Sequence, residues 1–220
     1  MLRNRAGIII GVSACLLSLL IFLLSGCVPK KIKNVESKGK NIICFGDSIT
    51  FGAGSETGKN YPVFMSKMML GVNVINAGID GETTPEALKR LQNDVLGRDP
   101  LLVIIELGGN DFLHKIPFAE TIKNIEEMIR AIQAKGAMVA IVDINVGLVM
   151  KEYGLEYRRL SDKYNTIFIA NLFHGILTDL KLKSDFLHPN ARGYQIIAHR
   201  VYRAILPYLN QNRIIKGLKR

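Results

Sequence analysis

Between residues 41 and 209, apolar runs alternate regularly with amphipathic stretches, and this alternation leaves few folds open to the chain. Five short, β-prone runs have the length of buried strands: they lie at 41–45, 72–76, 101–107, 137–144 and 166–170. Stretches with helical spacing separate or follow them, at 61–70, 84–96, 118–135, 151–164 and 190–209. Strands that alternate with long helices favour right-handed crossovers and a parallel sheet covered on both faces. We therefore expect an α/β fold, a three-layer α/β/α sandwich with a five-stranded parallel sheet.

Residues able to do chemistry cluster where the predicted strands end. The first strand runs into Gly46-Asp47-Ser48-Ile49, the second into Asn76-Ala77-Gly78 and the third into Gly108-Gly109-Asn110-Asp111. The segment Asp185-Phe186-Leu187-His188-Pro189 comes between the fifth strand and the last helix. The carboxyl ends of parallel strands share one edge of the sheet, where binding sites form. Acyl transfer needs a nucleophile, a base, a group that orients the base and donors for an oxyanion, and these segments supply each part.

The four segments, in this order, resemble the sequence blocks of the SGNH (GDSL-type) hydrolases, over roughly residues 41–209. They are most similar to the small branch of thioesterase/lysophospholipases and arylesterases. The resemblance implies a flavodoxin-like sheet and hydrolysis of carboxylic esters, with thioesters and lysophospholipids among the possible substrates. It implies Ser48 as nucleophile, His188 as general base and Asp185 as the carboxylate that orients His188. The oxyanion would be bound by the N–H groups of Ser48 and Gly78 and by the Asn110 side chain. No cofactor or metal is implied.

Each of these residues also has a simpler interpretation. Ser48 alone is compatible with a helix N-cap, since Ser and Asp are frequent there. Asp185 is compatible with a surface charge and His188 with a packed imidazole. We expect Asp47 to accept a loop hydrogen bond and Asp111 to be structural. The remaining histidines have no matching partners and are expected at the surface: His114, His174 and His199.

Two other motifs fail on inspection. The loop Gly52–Lys59 looks like a phosphate-binding loop, but Ala53 stands where a Walker A needs Gly and Asn60 where it needs Ser or Thr. The nucleophile elbow Gly-x-Ser-x-Gly is absent because Thr50 occupies its last position. This argues against an α/β-hydrolase fold.

The amino-terminal sequence predicts an export signal. Residues 1–5 are basic, residues 6–24 are mostly apolar, and Leu24-Ser25-Gly26-Cys27 resembles the lipobox of bacterial lipoproteins. We therefore expect a signal peptide at 1–26, a lipidated Cys27 with a basic tether at 27–40, the hydrolase domain at 41–209 and a basic tail at 210–220. An uncleaved transmembrane anchor is the alternative, since 19 residues could just span a bilayer. Both interpretations place the domain outside the cytoplasm, on a membrane.

Charge limits the classes of partner expected for the domain, and cysteine content limits the roles of the three thiols. The formal charge is +10, yet residues 41–209 contain 18 basic and 18 acidic residues, so the excess lies at the two ends. A neutral domain argues against a nucleic-acid partner. Of the three cysteines, Cys15 falls in the signal and Cys27 would carry lipid, so Cys44 is left as a small buried hydrophobe.

The substrate stays open at the level of sequence. The segment 112–118 is apolar enough to line an acyl pocket. Small deacetylases of cell-wall or capsular sugars share the same blocks, so an O-acetyl ester is an alternative substrate. A non-catalytic surface lipoprotein and acyl transfer to an acceptor other than water are further alternatives. We expect a small-molecule ester as the substrate and the membrane as the partner of Cys27.

Overall fold

The computed structural model describes residues 30–69, 71–145, 150–212 and 217. Five parallel strands form one sheet in the order β2-β1-β3-β4-β5. Their bounds are β1 Asn41–Gly46, β2 Asn73–Gly78, β3 Pro100–Glu106, β4 Met138–Val142 and β5 Ile167–Ile169. The predicted five-stranded parallel sheet is confirmed, with each strand within a few residues of its expected position.

Helices cover the sheet in two layers, as predicted. Their bounds are α1 Ser48–Phe51, α2 Tyr61–Met68, α3 Thr84–Leu91, α4 Gly109–Leu113, α5 Phe118–Ala134, α6 Lys151–Tyr164 and α7 Ala191–Gln211. Helix α2 packs with α7, and α5 packs with both α3 and α6. Helix α3 continues into a π-helical turn at Gln92–Leu96. The short helices α1 and α4 were not predicted, because one turn is too short to show helical periodicity.

The core lies between these layers. All seven residues of β3 are buried, as expected for a central strand with helices on both faces. Helix α5 buries the stripe predicted for it: Ile122, Ile125, Met128, Ile129 and Ile132. Burying a large aliphatic side chain stabilises the folded state by roughly 1.5–3 kcal/mol. The packed helices therefore stabilise the sheet, including the edge at which the strands end. Gly136, at φ 88°, follows the helix and directs the chain into β4.

The expected tether differs from the structure. Residues 31–40 lie against the amino ends of the strands and belong to the folded domain. Ile32 is buried in the core. The Lys33 N–H donates to the carbonyl of Asn165 (2.9 Å), and the Asn34 amide reaches two further carbonyls. A single apolar residue between lysines gives no periodic signal, which is why the sequence suggested a tether.

The carboxyl end of the chain secures this segment. Asn212, fully buried just after α7, donates its side-chain amide to the carbonyls of Val35 (2.8 Å) and Ser37 (2.9 Å). A typical intramolecular hydrogen bond contributes about 1 kcal/mol. The folded domain therefore includes residues 31–40 and Asn212, which lie beyond the predicted borders at 41 and 209.

The described residues from Lys31 onward form a compact unit, and every core residue in the described part of the chain falls between Ile32 and Leu209. All buried hydrophobic residues of the described core therefore belong to this unit. The predicted signal peptide and Cys27 lie outside the described residues. Within the described ranges, no helix is both long and apolar enough to cross a membrane.

Candidate active site

Ser48 is presented by a tight turn at the carboxyl end of β1. Asp47 caps helix α1, and its Oδ1 accepts the Ile49 N–H at 3.1 Å. Ser48 is thus the first residue of the helix and not its N-cap. Gly46 is required at the end of β1, since an added Cβ would lie 2.1 Å from the Thr50 Oγ1. The expected role of Asp47 as a local acceptor agrees with this geometry.

The structure brings Ser48, His188 and Asp185 together. The Ser48 Oγ lies 3.1 Å from His188 Nε2. His188 Nδ1 lies 2.8 Å from one carboxylate oxygen of Asp185 and 3.1 Å from the other. This chain of contacts is the arrangement in which a serine hydroxyl passes its proton to an imidazole held by a carboxylate.

The loop before α7 is held so that His188 faces Ser48. Asp185 Oδ1 accepts the N–H groups of Leu187 (2.8 Å) and His188 (2.9 Å), and the Ser184 N–H donates to the His188 carbonyl (3.0 Å). The hydrogen bond from His188 and those two backbone N–H groups lower the pKa of Asp185 to about 2. Asp185 is therefore ionised throughout the neutral range, although its side chain is about half exposed.

Asn110 and Gly78, the other two residues expected to bind an oxyanion, differ in their surroundings. Asn110 lies on α4, lines the same cavity as Ser48, and donates its amide to the Glu82 carbonyl at 3.1 Å. The Gly78 N–H donates instead to the Asn76 side chain at 2.9 Å. Gly78 packs against α1, where an added Cβ would lie 2.2 Å from a backbone nitrogen. The Gly78 N–H is thus already engaged, and the close packing by itself accounts for a glycine at this position.

A buried pair of carboxyl groups lies beneath Ser48, and the sequence did not single it out. Asp47 is 4% exposed and Glu106 is 2% exposed, and the two carboxyl groups lie close enough for each to affect the pKa of the other. The Thr50 hydroxyl donates to Glu106 Oε2 at 2.9 Å. Burial raises the pKa of Asp47 to about 7, and burial together with the charge of Asp47 raises the pKa of Glu106 well above its usual range. The sequence signal was a single acid inside the apolar run 101–107.

The raised pKa of Glu106 predicts a pH-dependent cost to folding. An acid whose pKa is higher in the folded state stabilises the fold below its unfolded pKa, and this contribution is lost as pH rises. Glu106→Gln keeps a neutral group that can donate to Asp47. We expect the free energy of unfolding of this variant to increase relative to that of wild type as pH rises from 5 to 8. The increase should be at most about 1.4 kcal/mol per pH unit.

Urea unfolding at several pH values measures this difference. Glu127→Gln, on the exposed face of α5, is the matched control and should run parallel to wild type. Parallel curves for Glu106→Gln as well would contradict a protonated Glu106.

An apolar cavity of about 380 Å³ opens beside Ser48. Its polar side comes from Asp47, Ser48, Asp80, Glu106, Asn110 and His188. Its apolar lining comes from Ile49, Phe112, Leu113, Ile144, Met150, Phe173, Leu177, Phe186 and Leu187. The volume is within the usual range for small-molecule sites, and Phe112 and Leu113 belong to the segment expected to line an acyl pocket.

The other predicted residues are placed as follows. Asp111 is buried and accepts the Thr84 N–H (2.8 Å) and the Thr121 hydroxyl (2.9 Å), so it joins α3, α4 and α5. Cys44 is fully buried, and burial raises the pKa of its thiol to about 12, which fits an inert core residue. The three other histidines are exposed. No cluster of His, Cys, Asp or Glu suited to a metal occurs among the described residues.

Comparison with known proteins agrees with this geometry. Residues 44–196 match the GDSL-like Lipase/Acylhydrolase family. The chain is 26% identical to the esterase TesA of Pseudomonas aeruginosa over 85% of this chain and 98% of the relative. It is 29% identical to an arylesterase of Vibrio mimicus over 88% and 98%. The crystal structure of esterase EstA from Pseudoalteromonas sp. superposes with a TM-score of 0.72 at 26% identity, covering 78% of this chain and 99% of that one. The chain therefore belongs to the GDSL-like lipase/acylhydrolase family, and it is a serine esterase that hydrolyses carboxylic esters.

Proposed function

We propose that Ser48, His188 and Asp185 carry out ester hydrolysis through an acyl-Ser48 intermediate. The 3.1 Å contact between Ser48 Oγ and His188 Nε2 is the observation that carries this assignment. The Ser48 Oγ attacks the ester carbonyl carbon while His188 takes the hydroxyl proton. Asp185 stabilises the imidazolium that forms. His188 then gives the proton to the alcohol oxygen as the carbon–oxygen bond breaks, and the alcohol leaves.

In the second half of the reaction, water hydrolyses the acyl-Ser48 intermediate. His188 removes a proton from a water molecule as that water attacks the acyl carbon. The Ser48–acyl bond breaks, and the proton returns to the Ser48 oxygen, which releases the carboxylic acid. The same residues serve both halves because His188 alternates between base and acid.

The negative oxygen formed in each half needs hydrogen-bond donors. We assign them as the Ser48 N–H, the Asn110 side-chain amide and the Gly81 N–H. Among the described residues, neither backbone N–H has a hydrogen-bond acceptor. Gly81 has φ 75° and lies between Asp80, which lines the cavity, and Glu82, whose carbonyl holds Asn110. In this assignment Gly81 replaces Gly78, the donor predicted from the sequence.

A phosphonate adduct tests this assignment directly. The related EstA is described as inhibited by monoethylphosphonate, which supports the use of such a compound. A crystal structure of the adduct should place the phosphonyl oxygen about 3 Å from the Gly81 nitrogen. An oxygen bound to the Gly78 nitrogen instead would restore the sequence-based assignment.

The apolar lining of the cavity favours acyl groups longer than acetyl. Each buried methylene contributes about 0.8 kcal/mol, close to a fourfold change in affinity. We expect kcat/KM for p-nitrophenyl esters to rise from acetyl to octanoyl. A series of such esters, with acetylated xylan beside it, measures this preference. Maximal activity on acetyl groups would instead favour the O-acetyl esterase alternative.

We also propose that Cys27 carries lipid and holds the enzyme on a membrane outside the cytoplasm. The basic start, the apolar run and Leu24-Ser25-Gly26-Cys27 support this assignment. Labelled palmitate fed to expressing cells should appear on the wild-type chain, and Cys27→Ser should lose both the label and membrane retention. Cys15→Ser is the control and should keep both. Membrane retention of unlabelled Cys27→Ser would indicate an uncleaved anchor.

A further inference from the structure

Exposed apolar side chains are concentrated at the mouth of the cavity. Eight large hydrophobic residues are exposed in the described part of the chain, and four of them also line the cavity. These four are Phe112 (39% exposed), Leu113 (53%), Phe186 (89%) and Leu187 (51%). We call them the apolar rim. An exposed apolar surface of this kind beside a binding site indicates contact with another apolar body.

The rim has two parts that adjoin the catalytic residues. Phe112 and Leu113 end helix α4, which also carries Asn110. Phe186 and Leu187 lie between Asp185 and His188 in the chain. The apolar lining of the cavity is therefore continuous with the exposed surface around it.

Lysines accompany the apolar residues of the rim. The Lys183 ammonium lies 5.3 Å from the centre of the Phe186 ring. Lys115, also exposed, follows Leu113 by two residues. At a lipid surface an apolar side chain enters the aggregate, while a neighbouring lysine keeps its ammonium at the polar head groups. The rim has both elements of this arrangement.

We propose that the apolar rim docks on the surface of aggregated acyl esters, a micelle or a bilayer, and passes the acyl chain into the cavity. This inference rests on the proposed function and adds the physical state of the substrate. Any body that covers the rim also covers the cavity mouth. A tightly bound protein would close the site, whereas a lipid aggregate delivers the molecule that must enter. Continuous apolar contact removes the need for the acyl chain to cross water.

A single tryptophan tests the docking, since the chain contains none. We would introduce Phe186→Trp into the compact unit of residues 31–220 and add phosphatidylcholine vesicles, which carry no net charge. Leu155→Trp on α6, 61% exposed and outside the cavity lining, is the matched control. We expect the emission of Trp at position 186 to shift to the blue and to be quenched by brominated phosphatidylcholine. The control should show neither change.

Vesicle affinity gives a second measurement. Phe186→Ser should weaken partition onto vesicles about tenfold, as expected for loss of one inserted ring, and Leu155→Ser should leave it unchanged. Wild-type hydrolysis of a soluble acetyl ester tests the proposed function independently of docking. If the wild type hydrolyses the soluble ester but Trp at position 186 does not respond to vesicles, the docking proposal is overturned and the proposed function is not. Dimerisation that Phe186→Ser abolishes, seen by analytical ultracentrifugation, would also overturn it, because the rim would then bind a second copy.

Discussion

Ser48→Ala is expected to lower kcat for p-nitrophenyl esters by at least about 10⁴-fold, the scale at which serine hydrolases lose activity without their nucleophile. The variant removes the Ser48 Oγ, which lies 3.1 Å from His188 Nε2. Water would then have to attack directly, helped only by the oxyanion donors. Substrate binding should change little, because the Oγ is a small part of the cavity surface.

Two measurements make this result specific to the nucleophile. A fluorophosphonate probe should label wild type at Ser48 and leave Ser48→Ala unlabelled. Ser66→Ala, whose hydroxyl donates to a carbonyl within helix α2, is the matched control and should keep full activity. Equal rates for Ser48→Ala and wild type would remove Ser48 from the reaction.

Asn110→Ala is expected to lower kcat by about 100- to 1,000-fold, the usual cost of one oxyanion donor. The amide stabilises charge that develops only when the ester carbonyl becomes tetrahedral. KM should therefore change much less than kcat, because the ground state gains little from this donor. Steady-state kinetics on a soluble ester measure both parameters.

The Asn110 amide also holds the Glu82 carbonyl, so a structural explanation must be separated from a catalytic one. Asn110→Asp keeps the shape of the side chain and removes the donor. Unfolding midpoints identify any loss of fold. If KM rises as far as kcat falls in a stably folded variant, Asn110 binds the substrate rather than the oxyanion.

The sheet and the long helices were predictable because their signals are strong and local. The run 101–107 is continuous and apolar, as a strand buried on both faces must be. Helix α5 shows its buried stripe over about three turns. The juxtaposition of Ser48 and His188 also followed from the sequence, since parallel strands bring their carboxyl ends to one edge. The three-residue spacing of Asp185 and His188 let one loop supply both side chains.

The features that were missed depend on contacts that sequence patterns do not encode. The hydrogen bond from the Gly78 N–H to the Asn76 side chain is not indicated by the glycine itself. The pairing of Asp47 with Glu106 joins the ends of two strands that are far apart in sequence. Residues 31–40 gave no periodic signal, and the residues that hold them, such as Asn165 and Asn212, are far away in the sequence.

The junction between Asn212 and residues 35–37 has a practical consequence for where this enzyme can be cut or fused. A chain begun at residue 41, the border that periodicity suggests, would leave the Asn212 amide without its two carbonyls and remove Ile32 from the core. Fusion partners should therefore be joined ahead of residue 31, at the edge of the sheet opposite the catalytic residues. Loops inserted there would lengthen the protein without approaching Ser48.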